Sequence, residues 1–252
     1  YVLPKVDLLA IPDFAAGAME NWGLITYRET ALLCDAKSAQ SHKEWVALVV
    51  THELAHQWFG NLVTMEWWSD LWLNEGFATW AGNLAVDNVF PDWDTWTQFT
   101  QDDGSYALST DALLSSHPIQ VTINDPAEID QIFDALSYSK GACMIRMLES
   151  MVGADVFRRG LRNYLETHQY KNTVTADLWA SISQCAGYDV SEVMDTWCLH
   201  VGFPVINCTG TSTGELTLSQ SRFMQVGSGD EHDQHIWKVP LSCLASADAG
   251  ER

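Results

Sequence analysis

The chain has 252 residues, of which 47% are hydrophobic and 18% charged, and its formal net charge is −20. This composition is typical of a globular protein with one large domain, or with a domain and part of another. Only 13 residues are Lys or Arg. The charge therefore argues against a nucleic-acid partner, because phosphate binding needs clustered cationic side chains. An acidic surface can attract cationic ligands such as peptides with a free α-amine, or it can serve solubility alone.

The six cysteines are scattered, without a C-x-x-C pair or a regular spacing. This pattern favours reduced thiols in a cytoplasmic protein over a disulfide framework. No apolar run is long enough to span a bilayer, and no signal peptide opens the sequence. The first residue is Tyr rather than Met, and we expect a fragment of a longer protein.

Strands are predicted, in chain order, at 6–11, 24–27, 215–219 and 236–239. Helices are predicted at about 42–59, 70–88, 138–151, 154–168, 175–187 and 191–200. Ser41 and Glu44 have the spacing of a capping box at the start of the first long helix. Helical sequence therefore dominates as far as about residue 203, and β-type sequence follows.

Residues 52–56 have the pattern H-E-x-x-H within the first long predicted helix. His52 and His56 are four residues apart, so both imidazoles project from one helix face and can reach one metal ion. Glu53 stands beside them and can accept a proton from water. Glu75 lies on the second predicted helix, which can return it to the histidine pair.

Two His ligands, one carboxylate and an open position for water are typical of catalytic zinc, whereas structural zinc usually has four protein ligands. The sequence therefore predicts one zinc ion per chain, bound by His52, His56 and Glu75. The alternative is two ordinary helix histidines and a surface glutamate. With Glu53 as the general base, such a site would hydrolyse an amide bond.

Four further segments carry a resemblance to a known family. They are G-A-M-E-N at 17–21, Q-W-F-G-N-L-V-T at 57–64, L-W-L-N-E-G-F-A-T-W at 71–80 and S-Y-S-K-G-A at 137–142. With the zinc motif, they resemble the M1 family of zinc aminopeptidases, which are gluzincins with a thermolysin-like catalytic domain. The resemblance covers essentially the whole chain and is most similar to the puromycin-sensitive, cytosolic branch.

The resemblance implies roles for residues outside the zinc motif. The substrate-binding segment would comprise Gly17, Ala18, Met19, Glu20 and Asn21. Glu20 would bind the α-ammonium group of the substrate, and Met19 would lie near its first side chain. Tyr138 would donate a hydrogen bond to the oxyanion of the tetrahedral intermediate, a charge that exists only near the transition state. Without the resemblance, Glu20 is an acidic residue in a turn-rich segment and Tyr138 a buried residue at a helix start.

We therefore expect an α+β fold. A mainly helical, thermolysin-like zinc catalytic domain would occupy residues 1–203, without its opening strands, and the start of a β-sandwich domain would occupy 204–252. The N-terminal β domain and C-terminal helical domain of the family would lie outside this chain.

The expected function is that of a zinc-dependent aminopeptidase, an exopeptidase hydrolysing the N-terminal bond of peptides with a free N-terminus. Zinc-activated water would be the nucleophile. One alternative is an epoxide hydrolase-type relative with the same zinc ligands, which has Gly at the position of Ala18. The other is an inactive zinc-holding fragment that acts as an interaction module.

Overall fold

The structure is a computed structural model that describes residues 3–210, 215–225 and 235–242. The described residues combine helices with small sheets, which confirms the α+β class. The α-helices are α1 Glu29–Leu32, α2 Gln40–His56, α3 Trp72–Val89, α4 Thr95–Phe99, α5 Ser105–Asp111, α6 Gly141–Val152, α7 Ala154–His168, α8 Thr175–Ala186 and α9 Ser191–Cys198. The strands are β1 Asp7–Ile11, β2 Ala18–Met19, β3 Leu24–Arg28, β4 Val63–Met65, β5 Lys171–Thr173, β6 Pro204–Gly210 and β7 Leu216–Arg222.

Shorter helical turns connect these elements. Three are 3₁₀ turns, at Trp68–Asp70, Pro91–Trp93 and Pro126–Ile132. Two are π-helical, at Thr100–Gly104 and Leu136–Lys140. None of the helices in the described ranges is long and apolar enough to cross a membrane.

Three local predictions are wrong. The helix predicted from residue 138 begins instead at Gly141, because the turn before it is π-helical. Helix α2 begins at Gln40, so Ser41 is already helical and cannot take the extended conformation of an N-cap; Ala39 precedes the helix without a side-chain hydrogen bond. Residues 236–239 form no strand. There the backbone of Trp237 bonds to the side-chain amide of Gln220, at 2.9 Å in both directions, instead of to another backbone.

The core lies between helix α3 and helices α6 to α9. Its fully buried side chains include Trp72 and Phe77 of α3, Leu148 of α6, Phe157 of α7 and Ile182 of α8. Because α3 is buried along most of its length, its backbone is fixed from several sides. This arrangement makes α3 a rigid support for any side chain that it directs toward α2.

Close backbone contacts at glycines bring three elements together. A Cβ atom on Gly82 of α3 would lie 3.1 Å from the backbone nitrogen of His52 in α2. A Cβ on Gly76 of the same helix would lie 3.2 Å from the Cα of Gly141, directly after the π-helical turn 136–140. The absence of side chains here therefore lets α2, α3 and that turn approach within backbone contact.

A small sheet lies beside α2, with strand order β1-β3-β2. Strand β1 is parallel to β3, whereas β2 pairs antiparallel with it through Ala18 and Met19. The side chains of Ile25 and Tyr27 in β3 are fully buried. Strand β2 is thus an edge strand within the described sheet, and its residue Met19 is exposed.

Candidate active site

The three predicted metal ligands meet at one point between α2 and α3. The Nε2 atoms of His52 and His56 are 3.0 Å apart. Each also lies close to Oε2 of Glu75, at 3.4 Å and 3.3 Å respectively. The α-helical spacing brings the histidines together on α2, and the packing of α3 against α2 adds the carboxylate.

The chemistry and spacing of these three donors fit a zinc ion. Ligands about 2.0–2.2 Å from a tetrahedral zinc ion are roughly 3.3–3.6 Å from one another. The two histidine–glutamate separations agree with this spacing. The three donors form one of two groups among the described residues that could hold a metal ion; the other, which overlaps it, is Glu20, Glu53 and His56.

Backbone and hydroxyl groups orient both imidazoles. Nδ1 of His56 donates to the carbonyl oxygen of Phe59 at 2.9 Å, which leaves the lone pair of Nε2 directed at the site. Nδ1 of His52 lies 3.4 Å from the hydroxyl of Thr79 on α3. Burial lowers the pKa of His52, which favours the neutral form that binds metals.

Glu53 is buried beside the three donors, and its Oε2 atom has no hydrogen-bond partner among the described residues. A buried carboxylate without a partner is costly unless a cation or a bound molecule satisfies it. Burial raises its pKa to about 8. Glu53 is therefore available to interact with a molecule in the site rather than with the protein.

Tyr138 lies in the π-helical turn 136–140 and lines the same cleft as Glu53. Its ring is parallel to the imidazole of His52, with 5.9 Å between the ring centroids and 6° between the planes. Burial raises its pKa, and proximity and a hydrogen bond to Glu75 raise it further. The phenol therefore stays protonated and can donate a hydrogen bond next to the metal ligands.

Glu20 enters the site from the end of strand β2. Its carboxylate, that of Glu53 and an imidazole nitrogen of His56 all lie within 4.8 Å of one another. Side-chain amides hold its backbone: Gln57 and Asn61 donate to the Glu20 carbonyl oxygen at 3.1 Å and 2.6 Å. Glu20 is thus fixed at the metal site from the C-terminal end of α2.

The remainder of the 17–21 segment divides between the cleft and the sheet. A cleft of about 330 Å³ lies over the site, and Gly17 and Ala18 line it with His52, Glu53 and Tyr138. Met19 is 44% exposed. The side chain of Asn21 instead bonds to the Thr26 hydroxyl at 3.1 Å within the sheet. Asn21 therefore shapes the segment rather than facing the cleft.

Comparison with known proteins supports the motif analysis. Residues 1–197 match the sequence profile of the peptidase family M1 domain. The chain belongs to peptidase family M1.

Relatives of this M1 chain carry aminopeptidase names. It is 56% identical over 244 residues to Aminopeptidase M1 of Arabidopsis thaliana, and 52% identical over 254 residues to Aminopeptidase M1-A of Oryza sativa subsp. japonica. It is 48% identical over 242 residues to Leucyl aminopeptidase of Saccharolobus solfataricus. These matches cover 96%, 100% and 96% of the chain, but 27%, 28% and 30% of the relatives. The chain thus spans less than a third of the relatives' length.

Sequence reasoning missed several residues that position the M1 site. Gln57 and Asn61 stand in the 57–64 motif, and as polar residues where a buried helix ends they were recognisable as candidates for backbone support. The hydroxyl of Thr79, in the 71–80 motif, lies 3.4 Å from Nδ1 of His52. Asp103 lines the cleft and accepts a hydrogen bond from Ser139 at 3.1 Å. Asp103 lies in a stretch without clear periodicity, so no sequence signal indicated it.

Proposed function

We propose that the protein is a zinc-dependent aminopeptidase that hydrolyses the N-terminal bond of peptides with a free N-terminus. His52, His56 and Glu75 would hold one zinc ion. The proposal is supported by membership of family M1, by the histidine–glutamate separations of 3.4 and 3.3 Å and by the names of the relatives.

When bound, zinc would supply Lewis-acid polarisation of the substrate carbonyl and acidify a water molecule. Glu53 would act as the general base, taking a proton from the attacking water and returning it to the leaving amine. Its buried, unpartnered Oε2 atom supports this role, because no protein donor competes for the oxygen. Tyr138 would donate its phenol proton as a hydrogen bond to the oxyanion.

The observation that carries the exopeptidase assignment is the position of Glu20. Its carboxylate is fixed within 4.8 Å of Glu53 and His56. A carboxylate so near the reaction centre stabilises a cationic α-ammonium group one residue from the scissile bond, and it offers an internal peptide no comparable partner. The open edge of β2 would support the peptide, with Gly17 and Ala18 lining the cleft.

The domain organisation and the cellular location are part of the same proposal. Residues 1–203 would form the thermolysin-like catalytic domain, and 204–252 would begin a β-sandwich domain. A cytoplasmic location agrees with free thiols at Cys34, Cys143, Cys185, Cys198 and Cys208; Cys243 lies outside the described residues. The aminopeptidase names of the relatives favour this function over the epoxide hydrolase and interaction-module alternatives.

The deciding experiment compares matched peptides with free and N-acetylated termini on the full-length protein, with and without a zinc chelator. Acetylation removes the cation and leaves the half-buried carboxylate of Glu20 without its partner, so cleavage should be nearly abolished. Glu20→Val should strongly raise KM for free-amine peptides while zinc content stays the same.

Glu29→Gln is the matched control, because Glu29 is an exposed acidic residue at the start of α1. It removes one negative charge without touching the cleft, and it should leave both substrates unaffected. Efficient internal cleavage of the acetylated peptide would overturn the exopeptidase assignment. Full activity in the presence of chelator would overturn the zinc assignment.

A further inference from the structure

The turn that carries Tyr138 has an unusual backbone. Residues 136–140 are π-helical, and the amide of Lys140 donates to the carbonyl of Ala135, five residues back, at 2.9 Å. A single π-helical turn widens the helix and rotates its side chains relative to an α-helix. π-helical turns are rare in proteins. Contacts from other parts of the chain hold this turn in place.

The N-terminal side of the turn is held by Asp134. One carboxylate oxygen, Oδ1, accepts hydrogen bonds from the amides of Leu136 and Ser137 at 2.9 and 3.2 Å. The other, Oδ2, lies 2.8 Å from Nε2 of His117. The pair is about three-quarters buried, and the hydrogen bond to Asp134 raises the pKa of His117. His117 thus fixes the carboxylate that caps the turn.

The C-terminal side is held by Lys140. Its Nζ atom lies 2.7 Å from Oδ2 of Asp111, and both side chains are almost fully buried. Nζ also donates to the carbonyl oxygen of Gly202 at 3.2 Å. The other oxygen of Asp111 accepts hydrogen bonds from the Ser116 hydroxyl at 2.7 Å and from the amide of Gly202 at 2.9 Å.

Both ion pairs start from one short stretch of chain, residues 111–117. A buried ion pair contributes little net stability, because removing two charges from water offsets their attraction. A matched pair at each end of a five-residue turn instead restricts how the turn can rotate. Neither ion pair shares a hydrogen bond or an ion pair with a proposed metal ligand, so the restriction acts on the turn that carries Tyr138.

We propose that the 111–117 segment positions Tyr138 by clamping its turn at both ends, through His117 with Asp134 and Asp111 with Lys140. The proposal rests on the assignment of Tyr138 as the oxyanion donor. His117, Asp134, Asp111 and Lys140 are positioning residues, because none of them reaches the reacting atoms. An oxyanion donor is sensitive to displacements well below 1 Å, so a loosened turn lowers the rate of the chemical step.

The test is a double-mutant cycle on the full-length protein. His117→Gln breaks the partly exposed pair without leaving a fully buried charge. It should lower kcat by about tenfold with KM and zinc content little changed. In a Tyr138→Phe background the same substitution should change kcat by less than about twofold, because the group that it positions is gone. An equal loss in both backgrounds would overturn the proposal.

Two variants extend the cycle. Asp134→Asn keeps an oxygen for the two backbone amides but weakens the ion pair, and Asp111→Asn alters the second pair. Both should show the same non-additivity with Tyr138→Phe. Glu192→Gln is the matched control, because it breaks a surface ion pair with Lys238, 3.0 Å long, that is remote from this turn. It should leave kcat unchanged.

A readout independent of activity separates this proposal from the proposed function. 3-Fluorotyrosine incorporated at position 138 should give one narrow ¹⁹F resonance in the otherwise unchanged protein. His117→Gln should broaden or split that resonance, and Glu192→Gln should not. An unaltered resonance in His117→Gln would overturn the clamp even if the enzyme is active. A resonance that broadens in His117→Gln, in a protein without peptidase activity, would support the clamp and contradict only the proposed function.

Discussion

Replacing Gly82 by Ala tests whether the contact between α2 and α3 sets the spacing of the zinc ligands. The added Cβ would lie 3.1 Å from the backbone nitrogen of His52 and 3.3 Å from its Cα. Ordinary contacts begin at 3.4 Å, so the helices must separate by about 0.3 Å. This separation would move His52, one of the proposed ligands, away from the helix that carries Glu75.

Two opposing effects set the magnitude. Overpacking in a close-packed interior costs about 1–3 kcal/mol, while alanine is favoured over glycine in a helix interior by about 0.8–1 kcal/mol. The net destabilisation of Gly82→Ala should therefore lie between about 0 and 2 kcal/mol. Part of the strain should oppose metal binding, because His52 and Glu75 must lie close together to bind one zinc ion. If about 1 kcal/mol of strain opposes binding, the affinity for zinc falls roughly fivefold.

The assay is chelator competition for zinc on the full-length protein, combined with the free energy of unfolding of the metal-free form. Gly104→Ala is the matched control, because a Cβ there would meet nothing closer than 3.6 Å. Gly82→Ala should weaken zinc binding, and Gly104→Ala should not. If Gly82→Ala binds zinc as tightly as the unsubstituted protein and is no less stable, the contact does not set the ligand spacing.

The remaining predictions concern the chemistry of the site. His56→Ala should lose close to one equivalent of zinc by metal analysis, and equal zinc in both proteins would contradict the ligand assignment. Glu53→Gln should retain zinc but lower kcat by about 100-fold or more, since the base acts only during the reaction; a change of only a few-fold would exclude Glu53 as the base. Tyr138→Phe should act mainly on kcat, by about 2–4 kcal/mol of transition-state stabilisation. A raised KM with kcat intact would instead assign Tyr138 to ground-state binding.

The arrangement of the proposed metal ligands was predictable because it depends on local periodicity. Two His residues four positions apart must share a helix face, and α2 has this form between Gln40 and His56. Glu75 required one further assumption, that a second helix returns along the first. The sequence supported this assumption, because one predicted helix ends at about residue 59 and the next begins at about residue 70, with turn residues between them.

The position of Glu20 depends on tertiary contacts that periodicity does not encode. Its backbone is held by the side chains of Gln57 and Asn61, and three elements, β3, α1 and α2, lie between them in the chain. No spacing rule relates position 20 to positions 57 and 61. Only the family resemblance suggested a role for Glu20, and the structure supplies the physical reason for its location.

The residues that orient Tyr138 could not be predicted from the sequence. The sequence pattern predicted an α-helix from 138 to 151, whereas α6 begins at Gly141 and the preceding turn is π-helical. One extra residue in a turn rotates the side chains before it by roughly 100°, so an α-helical register would direct Tyr138 to a different side. Its parallel position on His52 therefore depends on the π-helical turn, and that turn depends on partners from residues 111–117. Those partners lie in a region of mixed sequence signals, which is why a motif could indicate the tyrosine but not what orients it.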